Sequence, residues 1–102
     1  MIGMDLKWNG ITPEQYDTLH DVVKWESNHP TGGLFHVAFF DNNGVRVHDL
    51  WESEMDLNNF VTNRLMPGVA PIGITSQPTI EVHPAYAVFT PGYVPKAELE
   101  LA

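Results

Sequence analysis

No cysteine occurs among the 102 residues, which excludes disulfides, thiolate zinc sites and cysteine nucleophiles and fits a reducing, cytoplasmic setting. Positive charge is scarce as well. Five Lys and Arg against thirteen Asp and Glu leave a formal charge of -8, so the chain as a whole repels nucleic acid phosphates and anionic lipid. No apolar run approaches the roughly 20 residues of a membrane span, and Met1 to Asp5 lacks the basic and apolar regions of a signal peptide. A soluble, unprocessed chain with no nucleic-acid or membrane partner is the expectation. No Gly-x-Gly-x-x-Gly or phosphate-binding loop is present, and Gly32-Gly33 merely enters a strand, so nothing points to a nucleotide cofactor. His20, His29, His48 and His83 show neither His-x-His nor His-x-x-x-His spacing, and no metal site is expected. Ser53 lacks the Gly-x-Ser-x-Gly setting of a nucleophile elbow, and helix capping accounts for it.

What the chain does have is the composition of one globular domain: 43% hydrophobic residues with three Trp, three Tyr and five Phe. A chain of this length buries roughly two thirds of its unfolded surface, enough for one core. Ile2 to Trp8 alternates, with Ile2, Met4, Leu6 and Trp8 on one side, as a half-buried strand does. Asn9-Gly10 turns the chain. Thr12-Pro13-Glu14-Gln15 then supplies an N-cap, a proline at the first helical position and a capping-box glutamine. The first helix is predicted over residues 13 to 27, with Tyr16, Leu19, Val22, Val23 and Trp25 as its apolar stripe. Leu34 to Phe40 and Val45 to Glu52 flank Asp41-Asn42-Asn43-Gly44, where Asn43-Gly44 suits a type I′ hairpin turn. Ser53 caps a second helix with the stripe Leu57, Phe60, Val61 and Leu65, which Pro67-Gly68 weakens or ends. After a loop from Pro71 to Pro78, Thr79 to Val82 and Tyr86 to Phe89 read as a last strand, with Pro84 marking a bulge or an edge position.

The order β-α-β-β-α-β predicts an α+β domain of ferredoxin-like topology, a four-stranded antiparallel sheet with both helices on one face. The other face is left bare. Its strand positions are too apolar for simple solvation, so a homodimer through the sheet face is the economical arrangement. The domain spans residues 1–90, and residues 91–102 form a C-terminal tail or an arm over the partner.

Hairpin parity picks out the chemistry. An even number of loop residues places Leu34, His36, Ala38 and Phe40 on one face with Val45, Val47, Asp49 and Trp51. A His beside an Asp on an apolar face can serve as a general base whose imidazolium the carboxylate stabilises. The alternative is that His36 and Asp49 simply satisfy each other in the core. Trp51 is either core packing or an aromatic wall for a ligand. Arg64, four residues beyond Phe60, either reaches over the sheet to a ligand oxyanion or pairs with a surface acid. An odd loop with a bulge would instead set His36 against His48 and dissolve the cluster.

The residues Gly33-Leu34-Phe35-His36-Val37-Ala38 and Val47-His48-Asp49-Leu50-Trp51-Glu52-Ser53, leading to Phe60 and Arg64-Leu65, resemble the dimeric α/β-barrel superfamily near its antibiotic biosynthesis monooxygenase type. The resemblance covers residues 1 to about 90. It implies a ligand cavity between sheet and helices and two sheets packed back to back. The superfamily includes cofactor-free monooxygenases, haem-degrading enzymes, isomerases, decarboxylases and stress-induced barrels, so the likeness does not select a reaction. Its haem-degrading members carry an iron-ligating His on the second helix about ten residues after the strand Trp, where this chain has Val61 and Thr62. The resemblance therefore implies a barrel without cofactor that binds a small aromatic or polyketide-like molecule. It is either a monooxygenase using His36 and Asp49 for proton transfer and Trp51, Phe60 and Arg64 for binding, or a non-catalytic ligand-binding or stress-response barrel.

Overall fold

In the computed structural model, residues 1–92 are described, and four strands form one antiparallel sheet in the order β2-β3-β1-β4. The strands are β1 (Ile2–Asn9), β2 (Gly33–Phe40), β3 (Gly44–Trp51) and β4 (Thr79–Pro84). Helix α1 (Pro13–Val23) connects β1 to β2. The second connection carries α2 (Glu54–Phe60), a π-helical turn (Val61–Leu65), α3 (Met66–Val69) and a 3₁₀ turn (Ala70–Ile72). This is the ferredoxin-like α+β arrangement that the element order predicts. The tail expected at 91–102 lies, from residue 93 on, outside the described residues.

Period-two alternation builds the sheet's inner face. Met4 stands opposite Asp49 and Val82, Leu6 opposite Val47 and Ile80, and Trp8 opposite Val45. His36, Ala38 and Phe40 continue the row on β2. Leu19 and Val23 of α1 and Leu57, Leu65 and Val69 of the second connection close over that face to make the core. Both helix starts follow the sequence. Thr12 and Gln15 form the reciprocal capping box, and the Ser53 hydroxyl accepts from the Asp56 backbone N–H at 3.1 Å.

The hairpin keeps its expected parity by a different turn. Phe40 pairs with Val45, so Asp41 to Gly44 make a four-residue loop, even in number. A type I′ turn needs positive φ at both central residues, and among the described non-glycine residues only Lys24 has it. The Asp41 carboxylate organises the loop instead, accepting from the backbone N–H groups of Asn43 (2.8 Å) and Gly44 (3.0 Å) and pairing with Arg46 Nε at 2.7 Å. These bonds, the Asn43 N–H first, hold the Asp41 carboxyl below the usual carboxylate range. Gly44 is required for another reason: a Cβ there would lie 2.3 Å from the Trp8 carbonyl oxygen of the adjoining strand.

Four expectations are corrected. Leu34 does not share the inner face, because a bulge between Gly33 and Phe35 takes it out of register and leaves it exposed. Helix α1 stops at Val23 rather than residue 27, where Lys24 turns left-handed with φ 56°. Pro67-Gly68 does not end the second helical run. A proline lacks the N–H that would bond the carbonyl four residues back and crowds it; just before it the helix widens, with Met66 N–H donating to the Val61 carbonyl, and runs on to Ile72. The last strand ends at Pro84, and Tyr86 and Phe89 stand exposed beyond it. β4 is an edge strand, where a proline is tolerated.

The outer face divides in two. Phe35, Val37 and Phe39 make it apolar on β2, with Leu50 beside them on β3, whereas Arg46 and His48 of β3 and Asp5, Lys7, Glu81 and His83 of β1 and β4 make the rest polar or charged. The expectation of an outer face too apolar for simple solvation thus applies to the β2 row and Leu50. Among the described residues, no helix is long and apolar enough to cross a membrane.

Candidate active site

A hydrogen-bonded chain of four side chains crosses the inner face where β2, β3 and α1 meet. Trp51 Nε1–H donates to Asp49 Oδ2 at 3.1 Å, Asp49 Oδ1 lies 2.7 Å from His36 Nδ1, and His36 Nε2 lies 2.7 Å from the Tyr16 hydroxyl. Direct cross-strand pairing of His36 with Asp49 sets the central link, and the two-residue step from Asp49 to Trp51 keeps both on one face. The alternative pairing of His36 with His48 is absent. His48 projects from the opposite face and pairs with Asp5.

Donor and acceptor rules give the chain a direction. An indole only donates, so Asp49 Oδ2 accepts. With Asp49 as a carboxylate, His36 donates from Nδ1, and the Nε2 lone pair faces the Tyr16 hydroxyl, which donates to it. Burial pushes the Tyr16 phenol up from 10.0 to about 12, with the Asp49, Asp17 and Glu26 charges adding to the effect. The phenol therefore stays protonated through the neutral range. Side-chain exposure is 18% for His36 and 6% for Asp49, so the imidazole remains partly accessible while its carboxylate partner does not.

Aromatic rings enclose this chain. Trp25 lies 5.0 Å from His36 and meets Trp51 and Phe60 edge-on at 5.5 and 5.7 Å, and Trp51 and Phe60 are 5.4 Å apart. Tyr16 stacks with His20 at 5.8 Å and meets Phe40 edge-on at 6.1 Å. Beneath lies a cavity of about 70 Å³. Its walls are apolar except where Tyr16, His20, His36 and Asp49 reach it, and Phe60 forms one side. Two or three waters, or one dioxygen, fit such a volume; a substituted aromatic does not. Every buried side-chain nitrogen or oxygen among the described residues has a hydrogen-bond partner.

The site residues expected from sequence thus divide. His36 and Asp49 are joined, and Trp51 and Phe60 border them. Arg64 is elsewhere. Its guanidinium donates to the carbonyls of Val23, Lys24 (3.2 Å) and Asn28 (2.7 Å) and lies over the Phe60 ring at 5.5 Å. It closes the C-terminal end of α1 and borders a separate surface groove with Thr31, Asp56, Asn59 and Asn63. No acid among the described residues pairs with it; the carbonyls at the end of α1 and in the turn beyond it accept its hydrogen bonds. Sequence reasoning missed Tyr16, His20 and Trp25 as site residues. Tyr16 looks like a stripe residue because it is one, and only the position of α1 over β2 brings its hydroxyl to His36.

The Tyr16 shift has a thermodynamic consequence. Its folded value lies above its unfolded value, so its contribution is intact below pH 10 and is lost as the pH rises toward 12, the unfolded state ionising first. Urea midpoints measured from pH 9 to 11.5 should therefore fall more steeply for the native chain than for Tyr16→Phe; parallel curves would contradict the burial of this phenol.

No protein-family model matches the chain, and no curated protein does. Solved structures do. The chain is similar to a protein of unknown function from Nitrosomonas europaea, with a TM-score of 0.62 and 17% identity over 90% of this chain and 95% of that one. A variant of SnoaB, a cofactor-independent oxygenase from Streptomyces nogalater, gives a TM-score of 0.60 and 10% identity over 87% and 95% of the two chains. An antibiotic biosynthesis monooxygenase gives 0.58 and 20% over 85% and 100%. At these identities the likeness is one of architecture: the chain has the ferredoxin-like α+β fold found in antibiotic biosynthesis monooxygenases.

Proposed function

We propose that this chain is a dimeric, cofactor-independent monooxygenase acting on a small aromatic or polyketide-like molecule in a reducing, cytoplasmic setting. The observation that carries the reading is the chain Trp51–Asp49–His36–Tyr16, which holds an imidazole lone pair at the wall of an otherwise apolar cavity. A cofactor-free oxygenation needs a base, a dry aromatic enclosure and stabilisation of the anion formed. His36 is the base, Trp25, Trp51 and Phe60 are the enclosure, and the imidazolium held by Asp49 faces the anion. The substrate anion is electron-rich enough to reduce dioxygen directly. A ring methylene and O2 give a ring carbonyl and water, the methylene losing four electrons and one oxygen atom entering each product. The likeness to SnoaB, described as a cofactor-independent oxygenase, agrees with this reading but does not carry it.

Oxygen uptake with a panel of anthrones, which carry the ring methylene, tests the proposal. Uptake matched by quinone formation is expected with the native chain and background uptake with the His36→Ala, Asp49→Asn double variant. Equal turnover by the two would remove these residues from the mechanism.

The small cavity and its fully satisfied polar chain favour a second reading, a barrel that holds a ligand without transforming it. Ligand binding with no oxygen uptake across the panel would select it.

The apolar half of the outer face is the proposed dimer surface. Covering it with a second copy contributes at roughly 25 cal/mol per Å² of apolar area removed from water. Val37 and Phe39, both more than a third exposed, stand on its β2 row. Sedimentation should give a dimer at micromolar concentration and a monomer for Phe39→Glu; a monomeric native chain would contradict the interface.

A further inference from the structure

We infer that Tyr16 is a resident stand-in for substrate: its phenol occupies the seat on His36 Nε2 that the hydroxyl of a phenolic or enolic substrate takes on displacing it. The inference rests on His36 being the working base. It deepens that reading by naming the functional group recognised and the residue that must move.

The geometry is that of a bound ligand. The Tyr16 hydroxyl lies 2.7 Å from Nε2, and the phenol and imidazole ring planes are parallel to within 5°, with centroids 6.2 Å apart. His20 stacks on the phenol ring and Phe40 meets its edge, which makes an aromatic slot fitted to a flat ring. His36 cannot yield the seat by turning, because Asp49 holds Nδ1 and Trp51 holds Asp49. Tyr16, half-buried on α1, is the end of the chain at His36 Nε2, and among the described residues its hydroxyl has no other hydrogen-bonded partner. Its ring also borders the cavity of about 70 Å³, which is too small for an aromatic guest while the ring stays in place. Moving the ring joins the slot to the cavity and frees the lone pair in one step.

The seat sets the chemistry of the guest. Nε2 accepts, so it recognises an O–H and gains nothing from a carboxylate, which carries no proton and would face the Asp49 charge. An apolar ring would leave Nε2 without a partner. A phenol or enol more acidic than tyrosine replaces Tyr16 and passes its proton to Nε2: the O–H bond breaks, an N–H bond forms, and the electron pair remains on the substrate oxygen. Tyr16 is thus a specificity-determining residue that keeps weakly acidic guests out.

The test uses inert guests, p-cresol and toluene, which share a shape and differ in the hydroxyl. Binding is followed by tryptophan emission, since Trp25 lies against His36, and by the 15N resonances of the His36 ring. Tyr16→Ala is expected to bind p-cresol at least about tenfold more tightly than toluene, whereas the native chain and Tyr16→Phe, whose ring still fills the slot, bind neither at millimolar concentration. Equal affinities of Tyr16→Ala for the two guests would overturn the inference, as would p-cresol binding equally to the native chain. Should Tyr16→Ala not fold, Tyr16→Phe decides: its Nε2 resonance moves toward that of a free ring lone pair, and an unchanged resonance overturns the inference. Oxygen uptake plays no part in these measurements. A p-cresol preference without turnover would keep the seat and remove the oxygenase, and turnover without the preference would do the reverse.

Discussion

Trp51→Ala lowers stability by about 3 to 5 kcal/mol, the range for truncating a fully buried tryptophan. Trp51 is 0% exposed and packs against Trp25 and Phe60, so its removal opens a void where β3 meets α2. A polar loss adds to the cavity. Asp49 Oδ2 accepts the indole N–H, and with a side chain only 6% exposed it finds no replacement in water. For a domain of this size, with a total stability of roughly 5 to 15 kcal/mol, such a loss lowers the melting temperature by roughly 15 to 30 °C. Trp51→Phe separates the two parts, retaining most of the ring volume while losing the donor. It should cost less than the alanine variant and still uncouple Asp49. Thermal unfolding of both variants checks this, and a loss under about 1 kcal/mol for Trp51→Ala would mean the inner face repacks without it.

That Trp51, Asp49 and His36 share one face was legible in the sequence because a strand has a period of two and an even loop preserves parity. The turn chemistry assigned to the loop was wrong and the parity survived, since four residues closed by Asp41 count as even, as two would. The helix starts were legible for a similar reason: capping boxes are local, and Thr12 and Gln15 lie three residues apart. The end of α1 was not. Lys24 is no usual left-handed residue, and the donor to the carbonyls there is Arg64, about forty residues downstream. Because α1 stops early, Trp25 leaves the helical stripe and comes to cover His36. One long-range contact thus fixes the Arg64 guanidinium at the end of α1 and goes with the place of Trp25 beside His36, and no local pattern announces it. Tyr16 was hidden differently. It satisfies helical periodicity, and periodicity says nothing about what a hydroxyl at its end will meet.

Asp49→Asn is expected to reduce turnover by about 10²- to 10⁴-fold, the usual contribution of a positioned base, while leaving the fold intact. The two side chains are nearly the same shape, but the amide has one acceptor where the carboxylate has two. Trp51 can only donate, so the amide oxygen must turn to the indole, and the NH2 group then faces His36 Nδ1. Nδ1 becomes the acceptor and the ring proton moves to Nε2, the atom that the proposed mechanism needs as a lone pair. Asp49 acts here as a positioning residue, through the tautomer it imposes, and the 15N resonances of His36 read that tautomer directly. Inversion together with the loss of turnover supports His36 as the base. Retained turnover with an inverted ring would require the proton to leave by another route. His20, which also lines the cavity and stacks on Tyr16, is the imidazole placed to take it.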